Sequence, residues 1–196
     1  MGLEVELDRF LKIKTNGRDD SVCNFVNYPY EPTPYVILQA LANSGYIKKR
    51  DKIIDFGCGK GRVDFYLAYS CKATMIGVEF DFRLYNSALE NKKNAISSQR
   101  VEFVNLCASK YVVDEDVCGA YFFNPFSTEI LEQVINNLRE SKLRFDRVIN
   151  LYFYYPSRDY ISYLEHQSDI IFVDKIDCTD LFREYDQREY IAIYQL

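Results

Sequence analysis

At 196 residues the chain has the length of one domain, and 48% hydrophobic with 27% charged residues is a globular balance rather than a disordered or fibrous one. A formal net charge of −5 argues against bulk nucleic-acid binding through charge, and no apolar run approaches the roughly 18 residues of a membrane span. The cysteines, at 23, 58, 71, 107, 118 and 178, form no C-x-x-C pair, and His166 is the single histidine, so no metal site is expected.

The opening stretch MGLEVELDRFLKIK places acids where a secretory signal needs an apolar core. Glu6 also stands where N-myristoylation requires Ser or Thr, and the expectation is a cytoplasmic chain. Residues 1–26 read as an N-terminal extension, a short helix and a loop, ahead of one domain over residues 27–196. In NYPYEPTPYVILQALANSG, Thr33 is the expected N-cap, Pro34 suits the first helical position and Gly45 stops the helix. Val36, Leu38, Leu41 and Ala42 give that helix its apolar face.

From there strands and helices alternate. KIIDF is a buried-strand run, and Val63, Tyr66 and Leu67 open a helix after it. TMIGVE is a second strand, followed by a helix marked by Leu84, Ala88 and Ala95. VEFV and VCGAYFF are the third and fourth strands. Ser127 caps a helix whose apolar side is Ile130, Leu131, Val134, Ile135 and Leu138. RVINLYF is a fifth strand and residues 157–167 a short helix. IIFVDK and REYIAIYQL close the chain with no room for a helical crossover, so they are expected to pair antiparallel. The fold class is therefore α/β: a doubly wound, mostly parallel sheet of about seven strands with a C-terminal antiparallel pair. The cysteines, most of them in apolar strand-like runs, read as reduced, buried small residues.

Ligands of open parallel sheets bind outside the carboxyl ends of the strands, which directs attention to the loop after the first strand, residues 57–61. A phosphate-binding P-loop fails there, because Lys60 is followed by Gly61 rather than Ser or Thr. The G-x-G-x-x-G dinucleotide fingerprint is strained, because Arg62 stands where close helix–strand packing wants a small residue. What fits is acid-x-G-x-G-x-G: Asp55, Gly57, Gly59 and Gly61. The second strand ends in another acid, Glu79, 24 residues on.

These two motifs resemble those of the class I S-adenosylmethionine-dependent methyltransferases, with a Rossmann-like fold, and the resemblance extends over residues 27–196. It implies that the turn Gly57-Cys58-Gly59, with Gly61, lays bare backbone against the methionine part of S-adenosylmethionine, while Asp55 orients its amino end. Glu79 would grip both ribose hydroxyls through charge-assisted hydrogen bonds, with Phe80 near the adenine. The family's acid after the third strand is missing from VEFVNLCASKY, so adenine contacts fall to Asn105 or to backbone near Leu106 and Cys107. The fourth strand ends in Asn124-Pro125-Phe126-Ser127, similar to the N-P-P-aromatic motif of methyltransferases acting on nitrogen. There Asn124 and the Pro125 carbonyl would accept from the target amine, and Phe126 stands in place of the second proline. A rival resemblance, to protein lysine methyltransferases, runs from YEPTPYVILQAL to the Gly-Arg after the loop. In it Tyr30 and Thr33 close over the cofactor, and LYFYYP, Tyr152 to Pro156, contributes to a lysine slot.

The expected activity is thus methyl transfer to a nitrogen on a macromolecule, RNA or DNA base or protein side chain, by a monomer or weak dimer with no membrane partner. Protein lysine and small-molecule acceptors stay open. So do a nicotinamide oxidoreductase, since Glu79 can equally hold an NAD ribose, and a methyltransferase-like interaction module without catalysis.

Overall fold

A computed structural model of the chain describes residues 2–19 and 30–196. Cys23 and the expected domain boundary at residues 26 and 27 lie outside them. Two helices come first, α1 (Leu3–Leu11) and α2 (Tyr35–Asn43). The alternating part follows as β1 (Lys52–Phe56), α3 (Arg62–Ser70), β2 (Thr74–Glu79), α4 (Phe82–Asn94) and β3 (Val101–Asn105). It continues with β4 (Val117–Phe122), α5 (Thr128–Arg144), β5 (Asn150–Tyr154), α6 (Arg158–Glu165), β6 (Ile171–Asp177) and β7 (Tyr190–Gln195).

The strands form one sheet in the order β3-β2-β1-β4-β5-β7-β6. The first five pair in parallel, and β7 runs antiparallel to both β5 and β6. The order reverses between β1 and β4, which opens a crevice at their carboxyl ends. Alternation along the strands sorts the core into two layers. Ile53, Tyr121, Tyr152 and Ile193 face the side of α2, α3 and α4, while Ile54, Phe122, Phe153 and Tyr194 face α5 and α6. On the latter side Phe56, Phe122 and Phe153 sit in register on three adjacent strands and stack, with ring centroids 5.4 and 4.6 Å apart. Cross-strand aromatic pairs of this kind reinforce the sheet just below its carboxyl edge.

Helix ends differ from expectation in one place. Pro34, not Thr33, occupies the cap of α2, and the Thr33 hydroxyl instead bonds the Tyr121 hydroxyl at 3.1 Å. The buried side of α2 includes Tyr35 and Ile37 together with Leu38 and Leu41, whereas Val36 and Ala42 are only half-buried. Gly45 takes a left-handed φ of 81° just beyond the helix, as a stop residue should. Ser127 caps α5 by position without a side-chain bond, and Ser157 caps α6 with its hydroxyl accepting from Tyr160 N at 3.1 Å. The cysteines are less buried than expected: of the five described, all free thiols, only Cys58 and Cys178 are buried.

Candidate functional site

The loop after β1 is built on positive φ. Gly57, Gly59 and Gly61 have φ of 80°, 55° and 84°, a region that L side chains pay to enter. Gly57 N and Cys58 N donate to Val78 O at 2.8 and 3.3 Å, which pins the loop to the end of β2. The space a side chain would need is already taken by the protein itself. A Cβ on Gly57 would lie 2.4 Å from Pro125 Cβ, one on Gly59 2.2 Å from the Tyr30 ring, and one on Gly61 2.5 Å from Phe103. The glycines are thus required as much by Pro125, Tyr30 and Phe103 as by any ligand.

Above this loop lies a cavity of about 280 Å³, near the lower end of the range for small-molecule sites. Asp55, Gly57 and Cys58 from β1 and its loop, Glu79 and Phe80 from the β2 exit, and Leu106 and Cys107 from the β3 exit line it. Tyr121, Phe123, Pro125 and Phe126 close it from β4, and Tyr30 and Thr33 roof it. Of the residues singled out from sequence, Gly59, Gly61, Asn105 and Asn124 do not line it. Gly59 N donates to Glu79 Oε2 at 2.9 Å, and Gly61 N donates to Cys58 O at 2.9 Å. Asn105 donates to the carbonyls of Glu79 and Phe80 at 2.8 and 3.0 Å, bracing the β2 exit from outside. Leu106 N is spent on Glu79 O at 3.1 Å, so the Leu106 amide does not serve an adenine.

The cavity is acidic. Asp19, Glu31, Asp55, Glu79 and Asp81 line it against Arg62 and Arg83; Arg83 is paired with two of these acids, Asp81 and Asp19, and Arg62 is engaged elsewhere. Arg83 bonds Asp81 at 2.6 Å and holds its carboxyl below the usual carboxylate range. Arg62 is turned into the N-terminal segment. It donates to Glu4, to Thr15 Oγ1 at 2.7 Å, to Asn16 Oδ1 at 2.8 Å and to Thr33 O at 3.2 Å, with its guanidinium 4.5 Å from the Tyr35 ring centroid. The same segment anchors the roof, because the Tyr30 hydroxyl donates to Thr15 O at 2.6 Å and Tyr30 bridges Asp19. Neither the Arg62 anchor nor the burial of Asp64 beneath the loop was read from the sequence. An arginine at the start of a helix and an acid in its first turn are ordinary surface signals.

The two acids at the cavity floor differ in how they are satisfied. Glu79 is 4% exposed and accepts from Gly59 N and, at 2.8 Å, from Asp81 N; burial outweighs these amides and raises its pKa. Asp55 Oδ2 is buried without a hydrogen-bond partner among the described residues. Burial is the main cause that pushes the Asp55 carboxyl up to about 7. With Asp55 and Glu79 both lining it, this end of the cavity suits a cationic group.

A second cavity of about 620 Å³ adjoins the first, sharing Glu31 and Phe123. It is bounded by Pro34, Asn124, Tyr154, Tyr155, Ser157, Phe182, Arg188 and Glu189. Two of these residues hold left-handed backbone, Asn124 at φ 40° and Tyr155 at φ 50°, and they support each other. Asn124 Nδ2 donates to Tyr155 O at 2.5 Å, and Asn124 Oδ1 accepts from Ser157 N at 3.0 Å. The Asn124 amide thus ties the β4 exit to the β5 exit and keeps one lone pair on Oδ1. Tyr154 donates to Glu189 at 2.8 Å, and burial raises the Glu189 pKa. Tyr152, by contrast, belongs to the core. The remaining parts of Asn124-Pro125-Phe126 have separate tasks: Pro125 packs on Gly57, and Phe126 is buried against Phe122 with its carbonyl accepting from Tyr160 at 2.6 Å. His166 lies exposed at the end of α6, its Nδ1 2.6 Å from Ser162 O.

No family model matches the sequence, and no curated protein matches it in sequence. Solved structures do share the fold. An RNA methyltransferase from Salinibacter ruber, in complex with S-adenosyl-L-homocysteine, aligns at 17% identity and a TM-score of 0.57 over 84% of this chain and 92% of its own. A TehB-like SAM-dependent methyltransferase from Corynebacterium glutamicum aligns at 17% identity and 0.57 over 82% and 87%. Human methyltransferase 10 domain containing protein aligns at 13% identity and 0.62 over 97% and 92%. The chain has the Rossmann-like fold of the class I methyltransferases.

Proposed function

We propose that the chain is an S-adenosylmethionine-dependent methyltransferase acting on an acceptor nitrogen presented at the β4 and β5 exits. The observation that carries this reading is the acidic cavity beside the glycine loop, lined by Asp55 of β1 and Glu79 at the end of β2. S-adenosylmethionine, bound there, supplies an electrophilic methyl group on a sulfonium. Asp55 would hold the cationic amino end, Glu79 the ribose hydroxyls through its remaining lone pairs, and Phe80, Leu106 and Phe126 the flanks of the adenine slot. The excess of carboxylates suits a cationic ligand and opposes the pyrophosphate of a nicotinamide dinucleotide, for which neither paired arginine is available. The structural neighbour that carries S-adenosyl-L-homocysteine supports the same ligand class.

For the acceptor, the second cavity supports nitrogen. The spare lone pair on Asn124 Oδ1 can take a hydrogen bond from an N–H and so align the nitrogen, and positioning of this kind supplies much of the rate when the donor is already activated. A macromolecular nitrogen is the acceptor we favour. A lysine-like amine is the second reading, favoured by the Tyr154 and Phe182 rings and the Glu189 carboxylate that line the second cavity. The domain over residues 27–196 supplies most of the lining of both cavities, with Asp19 and Arg18 added from the preceding segment, and its partner is the acceptor.

The test has two stages. S-adenosylhomocysteine at about 100 times its Kd should stabilise the protein by roughly 2.7 kcal/mol, and NAD should not. Methyl-labelled S-adenosylmethionine is then offered with RNA, protein and small-molecule fractions of a cell extract. Equal stabilisation by NAD would overturn the cofactor assignment. Tight binding with no labelled fraction would turn the reading to a non-catalytic module.

A further inference from the structure

The formal net charge of −5 is not spread evenly over the chain. A third cavity, a groove of about 790 Å³, runs between the N-terminal segment and α4. Arg9, Lys12 and Lys14 from the segment and Lys60 from the glycine loop line it, with Asp8 and Glu90 as its acids. Both acids are engaged already: Asp8 accepts from Thr15, Asn16 and Tyr35, and Glu90 pairs with Lys93. Arg9, Lys12 and Lys14 are exposed, and their charged ends meet no acceptor among the described residues. The Lys60 ammonium reaches only Asn16 O, at 3.4 Å, and lies 4.8 Å from the Tyr30 ring centroid. The helix dipole accounts for Arg9 and Lys12 at the C-terminal end of α1, but Lys14 and Lys60 lie on no helix. Their placement is fixed by Asn91 of α4, which is 7% exposed. Its amide accepts from Lys14 N at 2.8 Å and donates to Lys14 O and Lys60 O at 3.3 and 3.0 Å. One buried side chain thus sets the two lysine backbones side by side.

We propose that this groove binds the phosphodiester backbone of a single-stranded polynucleotide and leads one of its bases to the second cavity, a delivery that rests on the methyltransferase reading for its purpose. The groove ends where the second cavity begins. Asn16 lines the groove, and Arg18, two residues on, lines the cavity. Two residues of chain span at most about 7 Å, so a strand seated on Lys14 and Lys60 passes the cavity mouth. There Arg188 adds a further cation, its guanidinium 4.0 Å from the Tyr155 ring centroid. Phe123, Tyr154 and Phe182 line the cavity and supply the rings for a base. A cationic track beside aromatic side chains holds single strands without reading their sequence. A base must also leave its stack to enter a cavity, which favours a single strand over a duplex. An acidic peptide would match the cations but leave the rings unexplained. The overall negative charge does not oppose this, because salt screens exposed charges beyond about 8–10 Å and the groove's own cations decide the contact.

The experiment is fluorescence anisotropy of the full chain with labelled single-stranded RNA and DNA of about 12 nucleotides and mixed sequence, between about 50 and 200 mM salt. With the four groove cations and Arg188 each on one phosphate, log K should fall against log salt with a slope of about −3.5, from about −0.7 per contact. Lys12→Gln/Lys14→Gln removes two contacts and spares the Asn91 clamp, which uses only the Lys14 backbone. Its slope should shrink by about 1.4 and its affinity near ~100 mM salt fall at least about tenfold, with S-adenosylhomocysteine affinity unchanged. Arg188→Gln should take about 0.7 from the slope; no change there would confine the strand to the groove and overturn the delivery. Equal binding of RNA and DNA assigns the groove to the phosphodiester alone, and preference for one adds the sugar to what is recognised. A slope near zero, full affinity in the double variant, or equal binding of a polyglutamate peptide of the same length would overturn the proposal. Oligonucleotide binding without S-adenosylhomocysteine binding would keep the groove and refute the methyltransferase reading, and the opposite pair of results would do the reverse.

Discussion

Arg62→Met tests whether the N-terminal segment is held over the ligand cavity by one buried cation. Arg62 is 3% exposed, and its guanidinium ties Glu4, Thr15, Asn16 and the Thr33 carbonyl to the start of α3. It also offsets Asp8, 3.7 Å away and 4% exposed. Methionine keeps the length and apolar bulk of the stem but removes the charge and every donor. Breaking a buried ion pair costs about 3–5 kcal/mol. The lower end applies, because Glu4 is half-exposed and Asp8 retains donors from Thr15 N, Thr15 Oγ1, Asn16 Nδ2 and Tyr35 OH at 2.7–3.0 Å. A loss of about 3 kcal/mol is a large share of the roughly 5–15 kcal/mol that keeps a domain folded, and lowers Tm by about 6–12 °C in a chain of this size. Urea and thermal melts followed by circular dichroism give the stability. Limited proteolysis should show faster cleavage in residues 12–18 in the variant. A fall in Tm under about 2 °C with unchanged proteolysis would refute the anchoring role.

Glu79→Ala should weaken S-adenosylhomocysteine at least about tenfold in calorimetry, from the loss of charge-assisted bonds worth about 1.5–3 kcal/mol each; unchanged affinity in a folded variant would mean the acid serves only the Gly59 and Asp81 amides. Asn124→Ala should leave S-adenosylhomocysteine affinity within about threefold and cut methyl transfer by roughly 10²–10³, the loss typical of one positioned polar group. Transfer at the wild-type rate would reduce Asn124 to its bonds with Tyr155 and Ser157. For the ligand-free protein, the raised Asp55 and Asp64 carboxyls hold protons that the unfolded chain, near 3.9, has already released. This contribution is therefore full below pH ~4 and is lost as pH rises towards ~7, by a few kcal/mol at most. Urea midpoints across that range should fall more steeply with pH for the wild type than for Asp64→Asn, and parallel curves would exclude the pair as the cause.

Local pattern carried the elements. KIIDF, TMIGVE and VCGAYF are strands because short β-branched and aromatic runs between turn residues have few other ways to bury both faces. The short segment between β6 and β7 excluded a crossover, and the pair is antiparallel as expected. The acid-x-G-x-G-x-G turn and Glu79 were likewise legible, because positive φ and a strand-end acid are properties of neighbouring residues. Local pattern did not show that β7 would insert between β5 and β6, since either order buries the same residues.

What only the tertiary structure decided are the contacts between segments with no spacing relation. Thr33 reads as a helix cap, yet its partner is Tyr121, 88 positions away. The gap left by Gly59 is filled by Tyr30, and the gap left by Gly57 by Pro125. The Asp64 carboxyl, in the first turn of α3, is buried beside that of Asp55. Composition and periodicity of the chain establish which face of each element is apolar. Which polar groups are then sealed in together depends on how the helices settle on the twisted sheet, because only packing at near-crystalline density removes the water that would otherwise satisfy them.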